Sequence, residues 1–160
     1  MPDARASWAR DESLHLTLKF LGNIPTRSIT NLSAAAAKAV AGISPFSIRL
    51  ESAGAFPKPG QPRVLWIGIQ DKSGELHQLQ AQLESQAALA GFQKEAREFR
   101  PHLTVARLRY PQHARELAAS HLQMNFEAME MEVSELLVIR SELSSKGSKY
   151  TVISRHALLK

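Results

Sequence analysis

FRPHLTVAR, at residues 99–107, and LHLTLKFLG, at residues 14–22, are two versions of one short pattern. Each reads His, apolar, Thr, apolar, centred on His15 and Thr17 in one version and on His102 and Thr104 in the other. Such alternation is typical of a strand with one buried face. We therefore predict strands over residues 13–21 and 99–108, each with its His and Thr on the polar face. The apolar side chains expected in the core of the first strand are Leu14, Leu16, Leu18 and Phe20.

These side chains suggest acid–base chemistry on an anionic group. Histidine titrates near neutral pH, so one ring can take a proton while the other gives one. Threonine hydroxyls can donate to the non-bridging oxygens of a phosphate and hold it in line for attack. Two imidazoles and two hydroxyls brought together would form a metal-free site.

Composition sets broad bounds on the class of protein. The chain has 160 residues, 44% of them apolar, which suits one compact domain or two small lobes that share a core. A formal charge of +5 is compatible with a polyanionic partner such as RNA. The absence of cysteine excludes disulfides, thiolate zinc sites and cysteine nucleophiles. Residues 1–12 do not resemble a secretory signal and no apolar run is long enough to span a membrane, so we expect a cytoplasmic protein with no membrane partner.

Periodicity predicts the order β α β β α β α β β. After an irregular start over residues 1–11 and the first motif strand, we predict helices at residues 25–41 and 73–90 and a short one from Pro111. The further strands are expected at residues 46–50 and 63–70, at the second motif, within 127–142, and at 150–158. Strand pairs with interspersed helices indicate an α+β fold with mostly antiparallel sheet. The doubling of the motif predicts two half-units, each supplying one motif strand.

The flanks of the two motifs narrow the interpretation to one family. Together with AFPKPGQPRVLWIG at residues 55–68, they closely resemble the bacterial and archaeal RNA 2',3'-cyclic phosphodiesterases, also called 2'-5' RNA ligases, of the two-histidine phosphoesterase superfamily. The resemblance covers nearly the whole chain. It implies a single domain over residues 1–160, with two pseudo-symmetric lobes, helices outside and the two motif strands facing a central cleft. Members usually begin with a strand and a helix before the first motif, so with only residues 1–13 there we expect the family's N-terminal strand to be missing.

The resemblance also implies a reaction and assigns roles to residues. The reaction is hydrolysis of an RNA 2',3'-cyclic phosphate to a 2'-phosphomonoester without metal or nucleotide cofactor, with a weak reverse capacity to form 2'-5' links. By position, His15 is the proton donor and His102 the proton acceptor, and Thr17 and Thr104 bind the phosphate. The residues themselves leave the order of the two histidines open. We expect a monomer acting on RNA with 2',3'-cyclic phosphate ends, tRNA fragments among them.

Three basic residues are secondary candidates for contact with the substrate. Lys19 shares the face of His15 and Thr17 by alternation. Arg63 begins a strand and could contact phosphate or base, or lie at the surface. Arg107 belongs to the family's motif, but its odd spacing from His102 places it on the opposite face unless the strand bulges.

Three aromatic residues are also candidates for the site or the core. Phe56 lies in a Pro-rich segment and could stack on a nucleobase. Trp66, between apolar neighbours, is expected in the core. Tyr150 could cover the cleft or only begin a strand. The other histidines are expected to be solvated or structural: His77, His113, His121 and His156.

Two alternatives to hydrolysis of RNA cyclic ends remain open at this stage. The same chemistry could act on a 2'-5' linked oligonucleotide or on a nucleotide metabolite with a cyclic phosphate. The chain could also be an RNA-binding module without turnover. Neither metal-ligand spacing nor a glycine-rich nucleotide loop is present, which argues against a zinc site and against an ATP-dependent ligase.

Overall fold

The computed structural model describes residues 6–145 and 147–159. These residues form three α-helices, α1 (Ile29–Ala39), α2 (Glu75–Leu89) and α3 (Arg115–Gln123). The strands are β1 (Ala6–Trp8), β2 (Phe46–Phe56), β3 (Val64–Gln70), β4 (His102–Leu108), β5 (Met129–Val133), β6 (Glu135–Ser144) and β7 (Gly147–Ala157). Single 3₁₀ turns lie at Asp11–Ser13, Thr26–Ser28 and Pro111–His113.

The strands form two sheets. Five of them lie in the order β1-β4-β3-β2-β5, and β6 and β7 form a separate pair. The pairings of β1 with β4, β4 with β3, β3 with β2 and β6 with β7 are antiparallel. The prediction of an α+β fold with antiparallel sheet is therefore confirmed. None of the helices formed by the described residues is long and apolar enough to cross a membrane.

Two compact units make up the chain, and the first unit contains both motifs. It runs up to Thr17 and includes Arg49–Gln70 and Pro101–Met131. Its core lies where α3 packs on the sheet, because the small residues on one face of α3 meet the apolar side chains of the central strands. The buried members of this core are Ala55, Leu65, Ala106, Leu108, Ala114 and Ala118.

The second unit contains α1, α2 and the β6–β7 pair, in Leu18–Ile48, Asp71–Arg100 and the chain from Glu132 onward. Leucines at helical spacing bury one face of α2, and a run of alanines lets α1 approach it closely. Helix α1 also packs against β6 and β7, and Ser33 on α1 lies 3.0 Å from Ser154 on β7 through their hydroxyl oxygens. The β6–β7 pair thus gains the support that a two-stranded sheet needs.

The first motif differs from its prediction because it forms no continuous strand. Only Leu16 pairs, in a single antiparallel bridge with Leu103 of β4, and the chain bends at Leu18. Beyond that bend the alternation fails, so that Phe20 is 75% exposed instead of lying in the core. Leu14 is likewise exposed. The two motif segments are neighbours in the first unit, joined by the bridge between Leu16 and Leu103.

The start of the described chain also differs from the irregular segment predicted for residues 1–11. Residues 1–5 lie outside the described residues, but Ala6–Trp8 form β1 and pair with Leu108 to Ala106 of β4. The bridge at Leu16 lies on this same edge of β4, because β3 occupies the other edge. The chain from β1 to the first motif therefore forms an interrupted edge strand, with a 3₁₀ turn at Asp11–Ser13 looping out between its two pairing points.

Candidate active site

The bridge between the two motifs determines which polar side chains are neighbours. Leu16 lies opposite Leu103, so one residue further along the antiparallel register His15 lies opposite Thr104. In the other direction Thr17 lies opposite His102. All four share the face opposite to that of the two leucines, because strand side chains alternate. The two histidines are diagonal neighbours, a relation that places residues about 7–8 Å apart and within reach of long side chains.

The orientation of the His15 ring is set by a backbone carbonyl. Its Nδ1 lies 2.7 Å from the carbonyl oxygen of Ser13, at the end of the 3₁₀ turn that precedes the motif. A carbonyl can only accept, so Nδ1 donates and carries a hydrogen. Nε2 is therefore the ring atom at which His15 can gain or lose a proton without breaking this bond.

The His102 ring is held by aromatic side chains of β2 and β3. Phe56 meets it edge to face, with ring centroids 5.1 Å apart, and Trp66 lies at 6.3 Å. Phe56 and Trp66 also pack on each other, at 5.2 Å. Gly54 lies opposite Trp66 in the register, and a Cβ at Gly54 would collide with the indole. The indole lies against β2 because this neighbour has no side chain.

Trp66 was expected in the core and lies instead on the polar face. It pairs with Thr104, and its side chain is half-buried beside His102. Its neighbour Leu65 is the fully buried residue and points to the opposite side. A run of apolar residues does not tell which face each one takes, so the sequence could not distinguish the two orientations.

A β-bulge brings Arg107 to the face that carries the motif residues. Opposite β3, Leu65 pairs with Ala106 but Trp66 pairs with Thr104, so Val105 is the extra residue of β4. Arg107, opposite Val64, therefore shares a face with Thr104 and His102 despite its odd spacing. Arg107 is exposed, and the bulge that its place on this face requires is present in β4.

Lys19 is held in the second unit by an ion pair, and its contact with substrate stays a prediction. Its ammonium group donates to both carboxylate oxygens of Glu84, each at 2.9 Å, and to the carbonyl of Gln93 at 2.8 Å. The Lys19 side chain is 4% exposed. These three bonds use all the donors of an ammonium group and tie Lys19 to α2 and to the loop that follows it.

Arg63 and Tyr150, the other candidates for contact with substrate, have defined places in the fold, but no contact of theirs assigns them this role. Arg63 is exposed just before β3, and its backbone bonds to Phe56 and Leu108 on the flanking strands. Tyr150 lies on β7 opposite Ser141, in the second unit, so its contact with substrate stays a prediction. Within residues 6–145 and 147–159, no three His, Asp or Glu side chains are grouped as a metal site would require.

His121 was expected to be solvated or structural, and it is the buried one of the remaining histidines. It is 6% exposed on α3, and its Nε2 donates to the carbonyl of Trp66 at 2.9 Å. Its spacing of three and seven residues from Ala118 and Ala114 places it on the buried face of α3. The helical spacing in the sequence indicates that His121 is buried. It cannot reveal the hydrogen-bond partner, Trp66, which lies 55 residues earlier.

Fold and motif pair together define the class of the two-histidine phosphoesterases. The model of the 2'-5' RNA ligase superfamily matches residues 3–144. The chain belongs to this family. It is 36% identical over 151 residues to an RNA 2',3'-cyclic phosphodiesterase of Methanothermobacter thermautotrophicus, covering 93% of this chain and 80% of the relative. An RNA 2',3'-cyclic phosphodiesterase of Aquifex aeolicus is 32% identical, with 94% and 81% covered.

Solved structures agree with this membership. The protein TT0787 of Thermus thermophilus superposes with a TM-score of 0.78 at 27% identity, covering 98% of this chain and 84% of the other. LigT of Escherichia coli, solved in complex with 3'-AMP, superposes with a TM-score of 0.74 at 27% identity, with 98% and 82% covered. The chain is thus an enzyme of a phosphoesterase family, as its motifs predicted.

Proposed function

We propose that this chain hydrolyses the 2',3'-cyclic phosphate at RNA ends to a 2'-phosphomonoester, with His15 and His102 as its acid–base pair. The observation that carries the proposal is the Leu16–Leu103 bridge, whose register puts both histidines and both threonines on one face of one unit. The relatives named RNA 2',3'-cyclic phosphodiesterase support the choice of substrate.

The proposed reaction is an in-line displacement at phosphorus. His102 takes a proton from water as the water oxygen attacks phosphorus. The bond between phosphorus and the 3' oxygen breaks, and His15 delivers a proton to that oxygen from Nε2. The products are a 2'-phosphate and a free 3'-hydroxyl, so one water is consumed and no net proton is exchanged with the enzyme once the rings re-equilibrate. The diagonal relation of the histidines suits this sequence, since acid and base must flank the phosphorus from different sides.

Thr17 and Thr104 are proposed to bind the non-bridging oxygens of the same phosphate. Each threonine lies opposite the histidine of the other motif, so each ring has a hydroxyl beside it on the neighbouring segment. Hydroxyl donors aimed at these oxygens stabilise the charge that gathers there in the transition state. Arg107, on the same face, adds a positive charge that attracts RNA phosphates.

The test is incubation of the protein with a short RNA that ends in a 2',3'-cyclic phosphate, in EDTA, followed by identification of the product end. We expect a 2'-phosphate, and a loss of about 10²–10⁴ in rate in His15→Ala and His102→Ala separately. His113→Ala is the matched control, since His113 is exposed on a 3₁₀ turn of the same unit. A 3'-phosphate product would show that the 2' oxygen, and not the 3' oxygen, is the leaving group. A folded wild-type protein that forms no product would refute the proposed substrate.

Ligation is proposed as the same displacement with a different nucleophile. A 5'-hydroxyl of a second RNA would replace water, and the 2'-5' link would form as the cyclic phosphate opens. We expect this product only at high concentrations of both RNA ends, because water competes for the same position. Its link should resist a nuclease specific for 3'-5' bonds, and it should disappear in His15→Ala and His102→Ala together with hydrolysis.

A further inference from the structure

His121 is a titratable side chain that the proposed mechanism does not use. It is buried, at 6% exposure, and lies one turn beyond Ala118 on the face of α3 that packs into the core. A polar group in such a place costs stability unless a hydrogen bond compensates it. An apolar residue at this position could fill the space. What His121 adds is the hydrogen bond that its ring makes.

That bond is made at the point where the ladder between β3 and β4 is interrupted. Nε2 of His121 donates to the carbonyl of Trp66 at 2.9 Å. Trp66 is the first residue of β3 after the register shift that Val105 introduces. A bulge disrupts the regular hydrogen bonds of a ladder. His121 thus supplies from α3 a hydrogen bond to the backbone at the bulge.

The bulge and Trp66 in turn determine the arrangement of the polar face. The extra residue turns Arg107 to the side of His102 and Thr104. The Trp66 indole lies 6.3 Å from the His102 ring, and both contact Phe56. A shift of the Trp66 backbone would therefore displace the His102 ring. It would also change the face of β4 on which Arg107 lies.

We propose that His121 is a positioning residue, which holds the bulge at Trp66 and through it the His102 ring. The inference rests on the proposed role of His102 in hydrolysis. His121 itself contacts neither substrate nor reacting atoms, and it acts from the buried side of the sheet.

The test compares two variants of matched shape, His121→Gln and His121→Met. Gln can place an amide N–H near the position of Nε2, whereas Met fills similar space and cannot donate. We expect Met to lower kcat on the cyclic-phosphate RNA by about 10²-fold, as small misplacements of catalytic groups do, with KM near the wild-type value. Gln should retain most of kcat. Equal kcat in Met and wild type, or equal losses in Met and Gln, would overturn the proposal.

A second readout does not depend on activity. In NMR spectra, the nuclear Overhauser contacts of the His102 ring with Phe56 and Trp66 should persist in wild type and His121→Gln and weaken in His121→Met. If wild type fails to turn over RNA while these contacts respond as expected, the proposed function fails and the positioning stands. If Met does not fold, the wild-type Nε2 proton of His121 decides: slow exchange with solvent supports the bond to Trp66, and fast exchange refutes it.

Discussion

The two catalytic candidates have different surroundings, although their motifs are alike. His15 is tied through Nδ1 to the Ser13 carbonyl, a partner within its own segment. His102 is held by the rings of Phe56 and Trp66, which come from two other strands. The motif therefore specifies the residue type, while the orientation of each ring depends on local contacts that the motif does not contain.

Replacing a motif threonine by valine tests phosphate binding by the hydroxyl alone. Thr17→Val and Thr104→Val keep the β-branched shape, which suits a strand, and each removes one donor. We expect each to lower kcat/KM by about 10²-fold, as loss of one transition-state donor does. The measurement is the initial rate of 2'-phosphate formation. Thr151→Val, on β7 of the second unit, is the control and should retain wild-type kcat/KM.

At the scale of elements, an ion pair joins α2 to the segments that precede and follow it in the second unit. Lys19 comes before α1, Glu84 lies on α2, and Gln93 belongs to the loop after α2. Glu84 also accepts from the backbone N–H of Glu95, at 3.2 Å. Because both charged side chains are largely buried, removal of one leaves the other without compensation.

We therefore expect Lys19→Met to lower the free energy of unfolding by about 3–5 kcal/mol. Adding Glu84→Gln should recover much of this loss, because the uncompensated carboxylate is then neutral. Urea denaturation followed by circular dichroism measures both. The control is Arg97→Ala, which removes an exposed ion pair with Glu95 and should have a far smaller effect. A small effect of Lys19→Met alone would show that the pair does not stabilise the fold.

A carboxylate between β3 and α2, that of Asp71, makes a pH-dependent contribution to stability. Burial by itself would raise the pKa of Asp71, but hydrogen bonds from the ring and backbone N–H of His77, and from the backbone of Leu76, lower it below 3.8 overall. The His77 ring nitrogen Nδ1 lies 2.7 Å from the Asp71 carboxylate. A carboxyl group with a lowered pKa stabilises the fold above its ordinary pKa, and this contribution is lost as pH falls through the lowered value.

Asp71→Asn should accordingly destabilise the protein at neutral pH by about 1–2 kcal/mol, because hydrogen bonds to a charged group become bonds to a neutral one. The difference from wild type should shrink as pH falls below the ordinary pKa of an aspartate, because the contribution is lost as pH falls through the lowered pKa of Asp71. The measurement is the difference in urea midpoint between wild type and Asp71→Asn, taken at pH 7 and at pH 3. Asp11→Asn, at an exposed position, serves as the control. A difference that stays constant between the two pH values would contradict the assignment.

At the scale of the whole molecule, the net charge of +5 favours association with a polyanion. Contacts with RNA phosphates release counterions, so the affinity for RNA should fall linearly with salt on logarithmic axes. Positive charge near the site comes from residues on the face of β4 that carries His102 and Thr104, and the bulge places Arg107 on this face.

Arg107→Gln should therefore weaken RNA binding and reduce the slope of this salt dependence by about 1. Arg140→Gln removes the same net charge from β6 in the second unit, where Arg140 pairs with Glu142. Fluorescence anisotropy with a labelled RNA, measured from low to moderate salt, compares the two. If both variants reduce the slope equally, net charge and not the position of Arg107 governs association.

The sequence by itself determined the helices, the fold class and the family. Periodicity located the helices, because local side-chain spacing decides which face is buried: the helices predicted at residues 25–41 and 73–90 contain α1 and α2. The paired motifs and their flanks identified the family, whose model matches residues 3–144. Strand β1 was missed, as three residues carry too little periodicity to be recognised.

Only the tertiary structure decided how these residues meet. The bridge that pairs Leu16 with Leu103, the extra residue Val105, and the bond from His121 to Trp66 each join segments far apart in the chain. Alternation along one strand gives the face of each residue but neither its partner nor the point where a bulge reverses the pattern. Lys19 shows the same limit, because a lysine's charge is visible in the sequence while the carboxylate that it pairs with is 65 residues away.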